Sequence, residues 1–127
     1  MESKCNVLKP LMVTVRCCTF NQARYIRDCL NGFVMQKTNF RFEAIVHDDA
    51  STDGNADIIK EYGKKHPDII KPILETENQW SKRDGSLGRI MEAHTHGKYI
   101  AWCEGDDYWI DPLKLQKQVD FLEAHPE

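Results

Sequence analysis

The sequence predicts an α/β fold in which a mostly parallel sheet carries helices on both faces. Two observations predict it. Short apolar runs rich in β-branched residues alternate with amphipathic stretches of helical period along the chain. The unusual polar clusters follow the apolar runs, which is where ligand-binding loops lie in open parallel sheets.

The first half of the chain contains two strand–helix units. Residues 11–17 are apolar and β-branched and predict a strand. Residues 23–36 carry apolar side chains at helical spacing and predict an amphipathic helix. Residues 42–47 predict the second strand, and the helix that follows it ends near His66-Pro67, because proline cannot continue a helix.

The second half repeats the pattern. Residues 69–74 predict a weaker strand, and the proline inside it favours an edge position. Residues 87–93 predict a helix and residues 98–103 a fourth, buried strand. The last helix is predicted to begin with Asp111 as its N-cap and Pro112 at its first helical position.

Length and composition indicate one domain. The chain has 127 residues, of which 41% are hydrophobic, and no linker or repeat divides it, so residues 1–127 are expected to form a single domain. The last helical pattern stops where a further strand is expected. We therefore expect this domain to be the front part of a longer protein.

Charge and cysteine content exclude several classes of protein. A net charge of -3 provides no basic field for nucleic acid. The apolar runs are far shorter than the ~20 residues of a membrane-spanning helix, and the N-terminus lacks the pattern of a secretory signal. Five cysteines without a C-x-x-C pair indicate reduced thiols. We expect a cytoplasmic protein, with the inner face of the membrane included in that expectation.

Polar clusters follow all four predicted strands. They comprise residues 18–21, 48–53, 75–85 and 104–107. If the strands are parallel, these clusters share one edge of the sheet. Their common position predicts a binding site there.

Three carboxylates occupy the cluster after the fourth strand. Glu104, Asp106 and Asp107 would repel one another unless a cation lay among them. Oxygen ligands suit Mg²⁺ or Mn²⁺, and Mg²⁺ is usually shared with the phosphates of a substrate. The alternative is a solvated acidic turn that caps the next helix, and both interpretations remain open.

A second acidic cluster follows the second strand. Asp48 and Asp49 can accept hydrogen bonds from a nucleobase or from ribose hydroxyls. Ser51 or Asp53 is expected to have the local role of capping the next helix.

Basic and aromatic residues near these clusters allow two interpretations each. Arg83, with neighbouring lysine and arginine side chains, is either a phosphate contact or ordinary surface charge. Trp102 is expected to pack in the core, whereas Tyr108 or Trp109 is a candidate for lining a sugar site. Both glycine-rich nucleotide motifs, G-x-x-x-x-G-K-[ST] and G-x-G-x-x-G, are absent from the sequence.

Together these clusters resemble the family 2 glycosyltransferases of the Rossmann-like GT-A fold. The resemblance runs from about Val13 to Leu122. It rests on the segments 18–21 (CTFN), 45–54 (IVHDDASTDG), 97–100 (GKYI) and 104–107 (EGDD).

The resemblance implies a nucleoside diphosphate sugar as donor, usually a UDP-sugar, held with Mg²⁺ or Mn²⁺ and transferred with inversion. Asp49 matches the aspartate that reads uracil, and Asp48 precedes it in the same motif. The acidic cluster matches the metal and diphosphate site, with Glu104 in place of the usual aspartate. Asp106 is expected near the ribose or diphosphate, and Asp107 on the metal.

The resemblance also assigns a loop and a basic residue. Cys18, Thr19 and Asn21 lie in the loop expected to border the nucleoside, and Arg83 is the candidate that faces the diphosphate. The family's general base lies in an acceptor-binding half that this chain does not match. The expected acceptor is a saccharide or a lipid-linked saccharide, as in polysaccharide biosynthesis.

Three other classes of protein share part of this pattern. A signalling receiver or a phosphohydrolase would also use carboxylates with Mg²⁺, but its acidic residues follow the first strand, where this chain has Cys17 and Cys18. A nucleotide-binding module without turnover remains open.

Overall fold

The computed structural model describes residues 10–126. Four strands and four α-helices alternate, with one short 3₁₀ helix. The strands are β1 (Leu11–Thr19), β2 (Arg41–Asp48), β3 (Ile70–Leu74) and β4 (Tyr99–Trp102). The helices are α1 (Ile26–Val34), α2 (Asn55–Lys65), α3 (Ser86–Ala93) and α4 (Lys114–Ala124), and the 3₁₀ helix is Trp80–Lys82.

The strands form one parallel sheet in the order β3-β2-β1-β4. β1 pairs with β2 on one side and with β4 on the other, and β2 pairs with β3. All four strands therefore end at the same edge of the sheet. The predicted α/β class and parallel sheet are confirmed.

The alternation of side chains along β1 divides the two faces of the sheet. Val13, Val15 and Cys17 are buried in the main core with α1, α2 and α4. Thr14 and Arg16 lie on the opposite face, where Arg16 forms an ion pair with Glu92 of α3. α3 is held by this ion pair together with one buried apolar side chain, Met91, whereas the other helices each bury several apolar or aromatic side chains.

The position of one outer strand agrees with the sequence-based expectation, and the position of the other does not. β3 contains Pro72 and lies at an edge, as predicted. β4 was expected to be buried, but within the described residues it is the other edge strand. Ile100 is 46% exposed, and Trp102 is 64% exposed and contacts the Arg16 guanidinium at 5.2 Å from its ring centroid. The expectation that Trp102 packs in the core is therefore wrong.

The start of the last helix also differs from the prediction. Pro112 and Leu113 form a turn, and α4 begins at Lys114. The Asp111 carboxylate accepts a hydrogen bond from the Leu113 N–H at 2.8 Å, so it satisfies a donor in that turn rather than in the helix.

The cysteines of the described residues are free thiols. Cys17, Cys29 and Cys103 are buried in contact, with Sγ–Sγ distances of 3.8 Å and 3.9 Å. Cys18 is half-buried, and Cys5 lies outside the described residues. Over residues 10–126, every helix falls short of the length and apolarity needed to span a bilayer.

Gly97 permits the close approach of the α3–β4 connection to β1, and we predict that Gly97→Ala destabilises the fold. A Cβ at this position would lie 2.5 Å from the Thr14 backbone nitrogen and 2.7 Å from the Val13 carbonyl carbon, and neither atom can rotate away. The expected loss in the free energy of unfolding is about 2 kcal/mol by denaturant titration.

Gly88→Ala is the matched control, because a Cβ there meets no atom within 4 Å. In a helix interior, that substitution is expected to stabilise the protein by about 0.5–1 kcal/mol. Equal effects of the two substitutions would contradict the packing argument.

Candidate functional site

A cleft of about 590 Å³ opens at the edge where the parallel strands end. We call it the rim cleft. The loops after β1, β2, β3 and β4 all contribute to it. Its lining consists of Cys18, Thr19, Phe20, Gln22, Asp49, Ala50, Asn78, Trp80, Ser81, Leu87 and Glu104.

A second cleft, of about 520 Å³, lies beside the first on the α3 side of the sheet. We call it the face cleft. It shares Cys18, Trp80 and Leu87 with the rim cleft. The remaining lining residues are Arg16, Gln79, Arg83, Gly85, Gly88, Met91 and Trp102.

A buried hydrogen-bond network holds the ends of β1 and β2 together. The Asn55 side-chain amide donates to Asp48 Oδ1 at 2.6 Å and to Thr19 Oγ1 at 3.1 Å. The other oxygen of Asp48 accepts the Ser51 N–H at 3.0 Å. Asp48, which the sequence suggested as a nucleotide ligand, thus lies at 1% exposure inside this network and outside the cleft lining.

Polar side chains of the β2–α2 loop bind the β1–α1 loop. Asn21 donates its N–H to Ser51 Oγ at 2.8 Å and accepts the Thr52 N–H on Oδ1 at 2.8 Å. Asp53 accepts the Ala23 N–H at 3.0 Å. Its other oxygen accepts the N–H of Asn55, the first residue of α2, at 3.0 Å, so Asp53 satisfies a donor at the start of α2 as expected, although it stands one position before the N-cap. Ser51 does not have the expected capping role. The N-cap is Gly54, in the left-handed conformation with φ of 92°.

Asp49 connects the end of β2 to the loop after β3. Its two carboxylate oxygens accept the backbone N–H groups of Gln79 at 2.7 Å and Trp80 at 3.0 Å. The Asn78 side chain donates to the Asp49 carbonyl at 3.0 Å. Asp49 lines the rim cleft, with a carboxylate that already has two donors.

The acidic cluster forms the turn after β4. Asp107 donates its N–H to the Glu104 carbonyl at 2.9 Å, and Glu104 lines the rim cleft. A Cβ at Gly105 would lie 2.6 Å from Thr19 Oγ1 and 2.3 Å from Gln22 Oε1. Only glycine allows the turn to pack this closely on the β1 loop.

The carboxylates of this turn are suitable but incomplete ligands for a hard cation. Glu104, Asp106 and Asp107 are exposed, and within residues 10–126 no three acidic, histidine or cysteine side chains converge into a ready metal site. Their oxygen atoms fit Mg²⁺ or Mn²⁺ that takes one or two carboxylates and completes its shell with phosphate oxygens and water. The residues therefore fit a metal that is shared with a substrate.

The basic residues of the loop after β3 have local partners or face the second cleft. Lys82 forms an ion pair with Glu77 at 2.7 Å, and Arg89 donates to the Asp84 carbonyl at 2.9 Å. Arg83 lines the face cleft, in a left-handed conformation with φ of 52°. The structure does not bring Arg83 into the lining of the rim cleft.

The aromatic candidates that follow β4 lie apart from both clefts. Trp109 packs on Phe33 in an edge-to-face contact with ring centroids 5.0 Å apart. Tyr108 is exposed and is not part of either lining. A different tryptophan, Trp80, lines both clefts. The sequence contained a signal for it, since Trp80 is a large aromatic residue inside a long polar loop.

Cys18 reports the electrostatic character of the rim cleft. Burial raises the pKa of its thiol, and the negative charges of Asp49 and Glu104 raise that pKa further, against an opposing effect of Arg16. The rim cleft thus has a negative potential beside Cys18.

The chain matches the family model "Glycosyl transferase family 2" over residues 14–127. It is 47% identical over 109 residues to the uncharacterised protein Rv1520 of Mycobacterium tuberculosis. The aligned segment is 86% of this chain and 31% of Rv1520.

Solved structures give the same result for the fold. The Staphylococcus aureus TarS 1-349 complex with UDP superposes with a TM-score of 0.73 at 25% identity, over 91% of this chain and 33% of that one. The mannosyltransferase PcManGT of Pyrobaculum calidifontis, in complex with GDP-Man and Mn²⁺, superposes with a TM-score of 0.71 at 25% identity. That superposition covers 95% of this chain and 38% of PcManGT.

The chain spans about a third of the length of these proteins. The match covers β1 from its fourth residue onward, the other three strands, both clefts and the acidic turn. This family differs from the receiver and phosphohydrolase alternatives, in agreement with the placement of the carboxylates after β2 and β4. The chain belongs to glycosyl transferase family 2.

Proposed function

We propose that this chain is the donor-binding part of a metal-dependent, inverting glycosyltransferase that uses a nucleoside diphosphate sugar, with UDP as the nucleotide. The rim cleft carries the proposal. It joins a buried carboxylate at the end of β2 to an acidic turn at the end of β4, with β1 between them. A ligand that spans it needs one end with hydrogen-bond donors and another end that binds a cation.

A nucleoside diphosphate has these two ends. Its base carries N–H groups suited to the remaining acceptor capacity of Asp49, because a carboxylate can accept about four hydrogen bonds. Its diphosphate would share a cation with Glu104, Asp106 or Asp107. The complexes of TarS with UDP and UDP-GlcNAc, and of PcManGT with GDP-Man and Mn²⁺, support this class of ligand.

The proposed chemistry needs charge neutralisation on the leaving diphosphate. A divalent cation, when bound, supplies it as a Lewis acid. The role of this chain's residues is to hold the donor: the buried end of β2 orients the nucleoside, and the acidic turn places the diphosphate at the open side of the cleft. Inversion corresponds to a single displacement in which an acceptor hydroxyl attacks from the face opposite the diphosphate.

We place the acceptor site and the general base in the part of the longer relatives that this chain does not match. The chain covers about a third of their length, and the acidic residues of its cleft are assigned above to donor and metal. The proposed acceptor is a saccharide or a lipid-linked saccharide.

The first prediction of the proposed function concerns nucleotide selectivity and metal dependence. In calorimetric titrations with UDP, GDP and ADP, the chain is expected to prefer UDP, and chelation of Mn²⁺ is expected to remove that binding. Asp107→Ala is expected to weaken Mn²⁺-dependent UDP binding by about 10- to 100-fold, because it removes a metal ligand.

Asp68→Asn is the matched control. Asp68 is an exposed carboxylate that precedes β3 and therefore lies at the opposite edge of the sheet. This variant should bind UDP as the parent chain does. Equal binding of all three nucleotides, insensitive to metal, would falsify the proposal.

The second prediction concerns turnover. The 127-residue chain is expected to bind the nucleotide weakly and to transfer little or no sugar, because a base that removes the acceptor proton contributes a factor of about 10²–10⁴ in rate. Product formation from a UDP-sugar, measured by chromatography, checks this. Robust transfer by the isolated chain would show that the base lies within it.

The third prediction uses Cys18 as a probe of occupancy. In a Cys5→Ser background, Cys18 is the half-buried thiol of the described residues, while the other three are buried. Its raised pKa means a smaller thiolate fraction at pH 8 than for a free cysteine, so iodoacetamide should react slowly and the rate should keep rising above pH 9.

UDP with Mn²⁺ should slow that alkylation, since Cys18 lines the rim cleft. Mass spectrometry of the Cys18 peptide measures the rate. Unchanged alkylation under conditions where calorimetry shows saturation would place the nucleotide elsewhere.

A further inference from the structure

Asp49 has an unexpected role in the described structure. Both of its carboxylate oxygens accept backbone N–H groups, those of Gln79 at 2.7 Å and Trp80 at 3.0 Å. Its own carbonyl accepts the Asn78 side chain. Hydrogen bonds to a carboxylate are stronger than neutral ones, so the start of the 3₁₀ helix is firmly held on the end of β2.

The residue held in this way is Trp80. Its side chain is 70% exposed and lies in the wall of both the rim cleft and the face cleft. A large aromatic side chain that stays exposed in a concave site, on a loop fixed by charged hydrogen bonds, is typical of a ligand contact. Packing does not explain it, because most of its surface remains in solvent.

The strand order indicates which part of the donor reaches Trp80. Asp49 and the Trp80 backbone N–H that it binds lie at the β2 end of the rim cleft, and Glu104 lies at the β4 end, with β1 between them. The Trp80 side chain extends from this point into the wall that the rim cleft shares with the face cleft. Neighbouring strands are about 4.8 Å apart, so the two ends are separated by roughly 10 Å. A donor whose diphosphate is at Glu104 therefore has its base at Trp80, whereas its sugar extends beyond the diphosphate.

We propose that Trp80 is the aromatic surface against which the nucleobase of the donor stacks, and that Asp49 is the positioning residue that holds Trp80 there. The inference rests on the proposed function, since it assumes a nucleoside diphosphate in the rim cleft. Stacking on the indole face needs no basic residue, which agrees with a cleft that has a negative potential beside Cys18.

The test compares affinities for probes with and without a base. UDP and inorganic pyrophosphate, each with Mg²⁺, are titrated into the parent chain, Trp80→Ala, Trp80→Phe and Trp102→Ala. Trp102 is the matched control, because it is also an exposed tryptophan but lines only the face cleft.

Trp80→Ala is expected to weaken UDP binding by about 10-fold or more, the scale of a lost base stack, and to leave pyrophosphate binding unchanged. Trp80→Phe should retain most of the affinity, and Trp102→Ala should stay within about twofold of the parent. UDP should quench the tryptophan fluorescence of the parent and of Trp102→Ala, but not that of Trp80→Phe.

Several results would overturn the inference while the proposed function stands. They are unchanged UDP affinity in Trp80→Ala, an equal loss for UDP and pyrophosphate, or a loss that appears only with a UDP-sugar and not with UDP. Absence of UDP binding by the parent chain would instead overturn the proposed function, and this inference with it.

The positioning role of Asp49 is tested by a double-mutant cycle. If Asp49 positions Trp80, Asp49→Asn should cost less UDP affinity in the Trp80→Ala background than in the parent chain, and the loss that remains there is that of the Asp49 hydrogen bond to the base. Fully additive losses would mean that Asp49 does not act through Trp80. If Asp49→Asn does not fold, hydrogen exchange in the parent chain provides the test. The Gln79 and Trp80 amides should be protected without ligand, and rapid exchange of these amides would contradict their hydrogen bonds to the Asp49 carboxylate.

Discussion

The buried hydrogen bonds between Asp48, Asn55 and Thr19 hold together the edge of the sheet on which the site is built. Each of these side chains is at most 3% exposed. A carboxylate in such a place is stable only when its oxygens have donors, and Asn55 and the Ser51 N–H provide them. The network therefore fixes where β1 and β2 end, and two of the four loops that line the rim cleft start from those two points.

The strands and their parallel direction were predictable, because apolar periodicity marks each strand and a helix between successive strands makes them run parallel. The roles of the polar loop residues were harder to predict. Ser51 and Asp53 are residue types typical of helix caps, but the Ser51 hydroxyl accepts an N–H group from a loop 30 positions away in the chain, and Asp53 divides its two oxygens between the first residue of α2 and that same loop. Competition between near and distant donors is decided by tertiary structure, and a linear pattern does not contain it.

In the site, too, some residues were predictable from the sequence and others were placed by tertiary structure. The acidic turn and the end of β2 were identified from residue type and position alone, and both Asp49 and Glu104 line the rim cleft. Arg83 was placed by loose sequence similarity and lies in the face cleft. Arg83 itself has the left-handed conformation and directly follows the 3₁₀ helix. The chain changes direction at this residue, and the cleft into which its side chain extends cannot be read from the sequence.

Gly105 has a consequence for how this site can diversify. Any side chain at that position would strike Thr19 and Gln22, so the main chain of the acidic turn is seated on the β1 loop and has no room to shift. A change of ligand preference in this chain would therefore have to come from exchanged side chains on either side of this glycine, or in the loop that carries Trp80, and not from a movement of the turn.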